Sequence, residues 1–384
     1  MTWVKLRDVM KRAQTKVDKD NTDLIYYVGG EHIESEQIQV KKRGVIAGSK
    51  IGPMFYYGFK AGDFLLVSRN PHLKKAGIVN FSGICSEKTF VLESSDQKVL
   101  APKFLPFILQ NEKFWDYAYQ HRHGSTNTFI NWSTLANYEF ELPPLDVQLK
   151  LADVLWAIYD TKDKYKKLIL ATDELVKSQF IEMFGELDKN TKQFPVKKLS
   201  EISSYWNGLT YKPADAVEDG TGTLVLRSSN IQNGALAFED NVYVNCDIKE
   251  KLLVQENDVL MCSRNGSAAL VGKTALIKGL VEPTTFGAFM MIIRSEYYSY
   301  LKTYFEMPFF RNQISTGTST INQITGKMLN EISLPIPDMD TVRMFEAFVH
   351  QSDKSKFALQ EAIKDLDALS KKIIAENLIP AGEE

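Results

Sequence analysis

The sequence predicts an α+β fold in which two α/β domains, related by a pseudo-twofold, are separated by two long antiparallel helices that pair as a coiled coil. Three observations predict it. A run of about 38 residues from Val147 to Phe184 contains neither glycine nor proline, and a second such run extends from about Thr341 to Leu378. Apolar residues return at seven-residue intervals within both runs. A motif spelled D-x-L-x-x-S-R-N occurs twice, with the same order of features around each copy.

The runs are the rods. At ~1.5 Å of rise per residue the first would make a helix nearly 60 Å long, beyond the ordinary globular range. Its seam is carried by Leu151, Leu155, Ile158, Tyr165, Ile169, Val176 and Met183, interrupted by Lys162, Thr172 and Gln179. The second run supplies Val342, Phe345, Val349, Leu359, Ile363, Leu366 and Ile373. Two heptad series of this kind bury each other. A pseudo-twofold would make the rods antiparallel and leave a globular domain at each end. The expected division is therefore a first domain at 1–143, a spacer helix at 144–190, a second domain at 191–336 and a second spacer helix at 337–384.

A chain of 384 residues exceeds what one core usually serves. Its 44% hydrophobic and 24% charged residues are those of a globular protein. No apolar stretch has membrane-spanning length, and the opening MTWVKLRDVMKR lacks the apolar run of a signal peptide, so no membrane partner and a cytoplasmic location are expected. Cys85, Cys246 and Cys262 are odd in number and widely spaced, and the histidines show no ligand spacing, so reduced thiols and no metal site are expected. A net charge of −2 provides no global basic field. This counts against nucleic-acid binding by the chain alone and leaves open a local basic face, or partner subunits that supply the rest of the charge.

The two halves then read in parallel. Trp3 to Val9 and Val196 to Ile202 are amphipathic starts. Asp63 to Asn70 and Asp258 to Asn265 share D-x-L-x-x-S-R-N. Strand signals follow at Gly77 to Phe81 and Thr89 to Leu92, matched by Leu270 to Ile277 and Phe286 to Ile293. Aromatic helical stretches, Phe104 to Tyr119 and Tyr297 to Phe310, precede polar turns at Gly124-Ser125-Thr126-Asn127 and Gly317-Thr318-Ser319-Thr320. Leu142-Pro143 and Leu334-Pro335 launch the rods. Such ordered matches mark a tandem duplication.

Two stretches imitate catalytic motifs. In Gly266 to Thr274 five residues separate the glycines where a phosphate loop needs four, and Ala275-Leu276-Ile277 reads as strand where that loop needs a helix. In Leu142-Pro143-Pro144-Leu145, Leu142 stands where an amino-methylating enzyme needs Asn or Asp to hold the base. The chain is therefore read as no enzyme by itself. The rival readings are a P-loop nucleotidase or a DNA methyltransferase acting alone, and a coiled-coil adaptor carrying two protein-binding domains.

What survives suits DNA. Arginine grips guanine O6 and N7 bidentately, asparagine does the same for adenine, and hydroxyls hold phosphates. The candidates are Ser68, Arg69 and Asn70 with Thr126 and Asn127 in the first copy, and Ser263, Arg264 and Asn265 with Ser319, Thr320 and Asn322 in the second. Lys41, Lys42, Arg43, Lys74, Lys75, Arg227, Ser267 and Lys273 are further candidates. Each has an ordinary alternative: the arginines would serve equally in ion pairs with carboxylates, and the lysine runs as solvated charge.

The duplicated motif, the polar turns and the L-P-P-L-x-x-Q launch at Leu142 to Gln148 together resemble the specificity subunit of type I restriction-modification systems (HsdS), over nearly the whole chain. The resemblance implies two target-recognition domains reading a bipartite double-stranded DNA target, no catalysis, and assembly with two methylation subunits and restriction/motor subunits. It also implies that S-adenosylmethionine, ATP and magnesium are used by those partners, with no cofactor in this chain. The helices would serve as ruler between half-sites and as docking surface. One departure stands out: copy two has no glutamine matching Gln148, Arg343 falling there instead, so launch segments that dock a partner would do so unequally.

Overall fold

The structure, a computed structural model, describes residues 2–218, 221–314 and 323–379. It divides into two units, Met1–Lys166 with Gln360–Glu384, and Lys167–Leu359. Each takes part of both rods, so the rods are not units in their own right.

The strands of the first unit are β1 (Thr2–Lys5), β2 (Met10–Ala13), β3 (Tyr26–Val28), β4 (Gly44–Val45), β5 (Phe55–Phe59), β6 (Phe64–Val67), β7 (Ala76–Ile78), β8 (Gly83–Ser86), β9 (Thr89–Ser94) and β10 (Glu139–Leu142). Those of the second are β11 (Val196–Lys198), β12 (Ser204–Asn207), β13 (Ala216–Val217), β14 (Thr223–Leu226), β15 (Ile231–Gln232), β16 (Ala235–Leu236), β17 (Tyr243–Val244), β18 (Val259–Cys262), β19 (Thr274–Leu276), β20 (Thr284–Phe286), β21 (Met290–Arg294) and β22 (Ser333–Pro335).

The two units share one topology. A sheet ordered β2-β9-β6-β7 in the first is matched by β12-β21-β18-β19 in the second. In each, a second sheet contains one parallel pair, β3 with β8 and β14 with β20. The first and last strands of each domain close it as an antiparallel pair, β1 with β10 and β11 with β22. The second sheets differ at their edges: β5 extends the β8 side in the first unit, whereas β13 extends the β17 side in the second.

The motif strand holds each domain together. Successive side chains of a strand face opposite ways, and here both faces are covered. Phe64 and Leu66 join one buried cluster while Leu65 and Val67 join another. Val259 and Met261 are likewise divided from Leu260 and Cys262. A strand enclosed on both faces reads as an unbroken apolar run, which is why D-x-L-x-x-S-R-N carries one between its polar ends.

The first long helix spans Leu145–Phe184 and the second Met339–Asn377. Gly185 ends the first, its N–H reaching the Ile181 carbonyl at 2.8 Å with φ +75°, the left-handed stop that glycine adopts most readily. Asp338 starts the second by accepting the Thr341 N–H at 2.8 Å. Within the first unit, Leu155 packs in one core with Ile374 and Leu378, and Lys162 pairs with Asp367. Within the second, Phe180 and Phe184 pack with Val342 and Phe345, and Lys356 pairs with Asp173 at 2.9 Å. In each unit the paired segments run antiparallel. Leu155, Ile158, Val342 and Phe345 are buried, while Leu151, Tyr165, Ile169, Val176, Val349, Leu359, Ile363, Leu366 and Ile373 are half-buried.

Gln148 is fully buried. Its Nε2 donates to the carbonyls of Val99 and Pro143 at 2.9 and 2.8 Å, and its Oε1 accepts the Ala101 N–H at 2.9 Å. It is thus an internal brace rather than a surface on which a partner could dock. In the second unit the matching carbonyl, that of Pro335, accepts the hydroxyl of fully buried Tyr300 at 2.6 Å. A different residue from a different element thus meets the carbonyl equivalent to that of Pro143, one of the three groups that Gln148 holds.

Candidate nucleic-acid interface

Each motif is held at both ends. At its start, the Asp63 carboxylate accepts the Lys60 N–H and the Asp258 carboxylate the Gln255 N–H, each at 2.8 Å. At its end, the Ser68 hydroxyl donates to the Lys88 carbonyl at 2.8 Å and the Ser263 hydroxyl to the Phe289 carbonyl at 2.9 Å. Ser68 and Ser263 are buried and their hydroxyls are spent on the next hairpin. This corrects the expectation that they face DNA.

Strand alternation then turns the following residue outward. Arg69 and Arg264 are exposed, and among the described residues neither has a carboxylate within ion-pairing distance. Glu87 stands near enough to Arg69 that, after Lys88 and Tyr56, the guanidinium helps hold its carboxyl below the usual range. Arg264 lies 5.3 Å from the ring centre of Phe289.

The residues just past the polar turn in sequence, Phe129 and Ile130 in the first copy and Gln323 and Ile324 in the second, are brought against each arginine. Ile130 N–H donates to the Ser68 carbonyl at 2.9 Å, and Asn70 N–H to the Thr128 carbonyl at 2.7 Å, so Arg69 sits opposite Phe129. Ile324 N–H donates to the Ser263 carbonyl at 2.7 Å, placing Arg264 opposite Gln323. Two features separated by more than fifty residues thus form one surface in each unit. Thr126 and Asn127 lie exposed on the first loop. Ser319, Thr320 and Asn322 fall outside the described residues.

Asn70 takes a left-handed backbone, φ 51°. Asn265 is turned inward, donating to the Ser228 hydroxyl at 3.1 Å and accepting the Ser267 N–H at 2.9 Å. Ser267 is exposed and Lys273 half-buried. The stretch from Gly266 continues from Lys273 into strand β19, so no helix offers its amides to a phosphate.

Most other candidate cations are already engaged. Lys41 pairs with Asp163, Lys42 with Glu34 at 2.6 Å, and Arg227 with Asp240 at 2.9 Å. Lys74 is shared between Glu36 and Glu112, and Lys75 donates to the Gly30 carbonyl at 2.7 Å. Lys74 and Lys75 are half-buried in internal bonds, contrary to the reading that placed them on the DNA face. Arg43 is exposed and stacks over Tyr26 at 4.1 Å and Phe81 at 4.6 Å.

Sequence reasoning missed Lys88, Phe129, Phe289, Gln323 and Asn207. Asn207 donates to the Ser263 hydroxyl at 3.0 Å and to the Ala288 carbonyl at 3.3 Å, bracing the turn that carries Phe289. No spacing rule could find these residues, because hydrogen bonds across the sheet bring them to the motif.

Residues 4–171 match the family described as the type I restriction modification DNA specificity domain. The chain is similar to the StySPI specificity subunit of a type I restriction enzyme from Salmonella potsdam, 27% identical over 203 residues, which is 50% of this chain and 43% of that one. It is also similar to the EcoKI specificity subunit from Escherichia coli K12, 29% identical over 153 residues, 38% of this chain and 32% of that one. The matches therefore span less than half the length of these relatives. In fold it is similar to the S subunit of a type I restriction-modification system from M. genitalium, with a TM-score of 0.58 at 14% identity, covering 98% of this chain and 95% of that one.

Proposed function

We propose, from the match of residues 4–171 to the type I restriction modification DNA specificity domain, that the protein is the non-catalytic subunit that reads a bipartite double-stranded DNA target. Each unit reads one short sequence. The chain joins two methylation subunits and restriction/motor subunits in the cytoplasm, and S-adenosylmethionine, ATP and magnesium belong to those partners. The observation that carries this reading is the repetition of one surface. In both units an exposed arginine with no ion-pair partner among the described residues stands at the same strand end, opposite Phe129 in the first and Gln323 in the second.

The decisive experiment is the methylation motif of the assembled complex in cells. Arg69→Ala is expected to relax one half-site and Arg264→Ala the other, each losing about 1–3 kcal/mol of discrimination at one base pair. A uniform loss across all sequences would make both arginines phosphate contacts and remove the base-reading role. Absence of any bipartite motif from the unaltered complex would remove the reading altogether.

A further inference from the structure

The two surfaces place an aromatic ring differently. The hydrogen bonds of the serines make Lys88 and Phe289 equivalent, both being the turn residue whose carbonyl the motif serine grips. The bridges opposite the arginines make Phe129 and Gln323 equivalent. The first unit therefore carries lysine on the turn and phenylalanine on the loop, and the second carries phenylalanine on the turn and glutamine on the loop. Phe129 is 36% exposed and Phe289 59%. A single exposed phenylalanine requires no explanation. A phenylalanine exchanged between two equivalent positions flanking the same arginine does.

We infer that these rings are specificity residues: Phe289 in the second unit and Phe129 in the first read the C5 methyl of a thymine beside the base pair met by the arginine. The inference rests on the DNA-reading function proposed above. In the major groove a thymine is distinguished by its methyl group, which an apolar side chain can cover, while arginine takes guanine. The 5.3 Å between the Arg264 guanidinium carbon and the Phe289 ring centre suits contacts to neighbouring base pairs, stacked at about 3.4 Å. Asn207 holds the Phe289 turn by its backbone, and the ring stands exposed beside Arg264. The exchange of positions would place the methyl-reading contact differently about the arginine in the two half-sites.

The test uses the full chain assembled with its methylation subunits. Phe289→Ala should make the methylated motif degenerate at one thymine-containing pair in the half-site that Arg264→Ala relaxes, while Phe289→Leu, which keeps an apolar contact, retains the preference. Replacing that thymine by uracil removes only the methyl and should weaken binding of the unaltered complex about fourfold, from about 0.8 kcal/mol per buried methyl-sized group, with no effect on the Phe289→Ala complex. Equal binding of thymine and uracil, or an unchanged motif in Phe289→Ala, would overturn the inference while leaving the arginine readout standing. Failure of the unaltered complex to methylate any bipartite motif would instead defeat the parent reading, and the inference with it.

Discussion

The aspartate that opens each motif has the same backbone bond in both units and a different neighbour. Asp258 receives two hydrogen bonds from the Arg294 guanidinium, both at 2.7 Å. Asp63 has no such partner among the described residues; burial pushes its carboxyl pKa up, against the opposing pull of the Lys60 N–H and ammonium, and the Glu93 charge adds to the rise. A carboxyl raised in the folded state disfavours folding once it is ionised. That penalty sets in as pH rises from the ordinary aspartate value of about 3.9 and is complete above the raised value. Asp63→Asn, which keeps an acceptor for Lys60, should therefore raise the urea midpoint of the full chain at pH 7, the gain vanishing as pH falls below that window. Asp258→Asn should lower it, with a loss of about 2 kcal/mol in unfolding free energy, because Arg294 loses a charged bidentate partner. Equal effects of the two substitutions would contradict this account.

At the scale of elements, the start of each rod is tied to its domain through one carbonyl. Gln148 holds Pro143 in the first unit and Tyr300 holds Pro335 in the second. Gln148→Ala takes a partner from three backbone groups, those of Pro143 and Ala101 in buried bonds and that of Val99 in a part-buried one, and should cost about 2–4 kcal/mol. Tyr300→Phe removes a single hydroxyl and should cost about 1–2 kcal/mol. Chemical denaturation of the full chain measures both, and a surface role for Gln148 would predict no loss of stability. The rods themselves were legible because heptad periodicity is a local signal, and Lys162 was recognised as a break in it. Its pairing with Asp367, and that of Lys356 with Asp173, could not be, since the partners lie nearly two hundred residues or more apart in the chain.

For the whole molecule, both rods contribute residues to both units, and under the proposed function their length is the ruler of the target. Adding seven residues to each rod keeps the seam in register and lengthens it by about 10 Å, or roughly three base pairs of duplex. The methylated motif should then gain about three base pairs in its gap with both half-sites unchanged. An unchanged gap would rule out the ruler.

The amino-acid sequence alone determined the duplication, the two rods and the motif at the end of each central strand, because these depend on periodicity and on residues close together in the chain. The tertiary structure alone decided which polar groups remain free. Ser68, Ser263, Lys74, Lys75 and Gln148 looked available and are consumed by internal bonds, while Phe129 and Phe289 looked ordinary and stand beside the exposed arginines. The physical reason is that a side chain's availability depends on what packs across the sheet from it, and those neighbours come from distant parts of the chain.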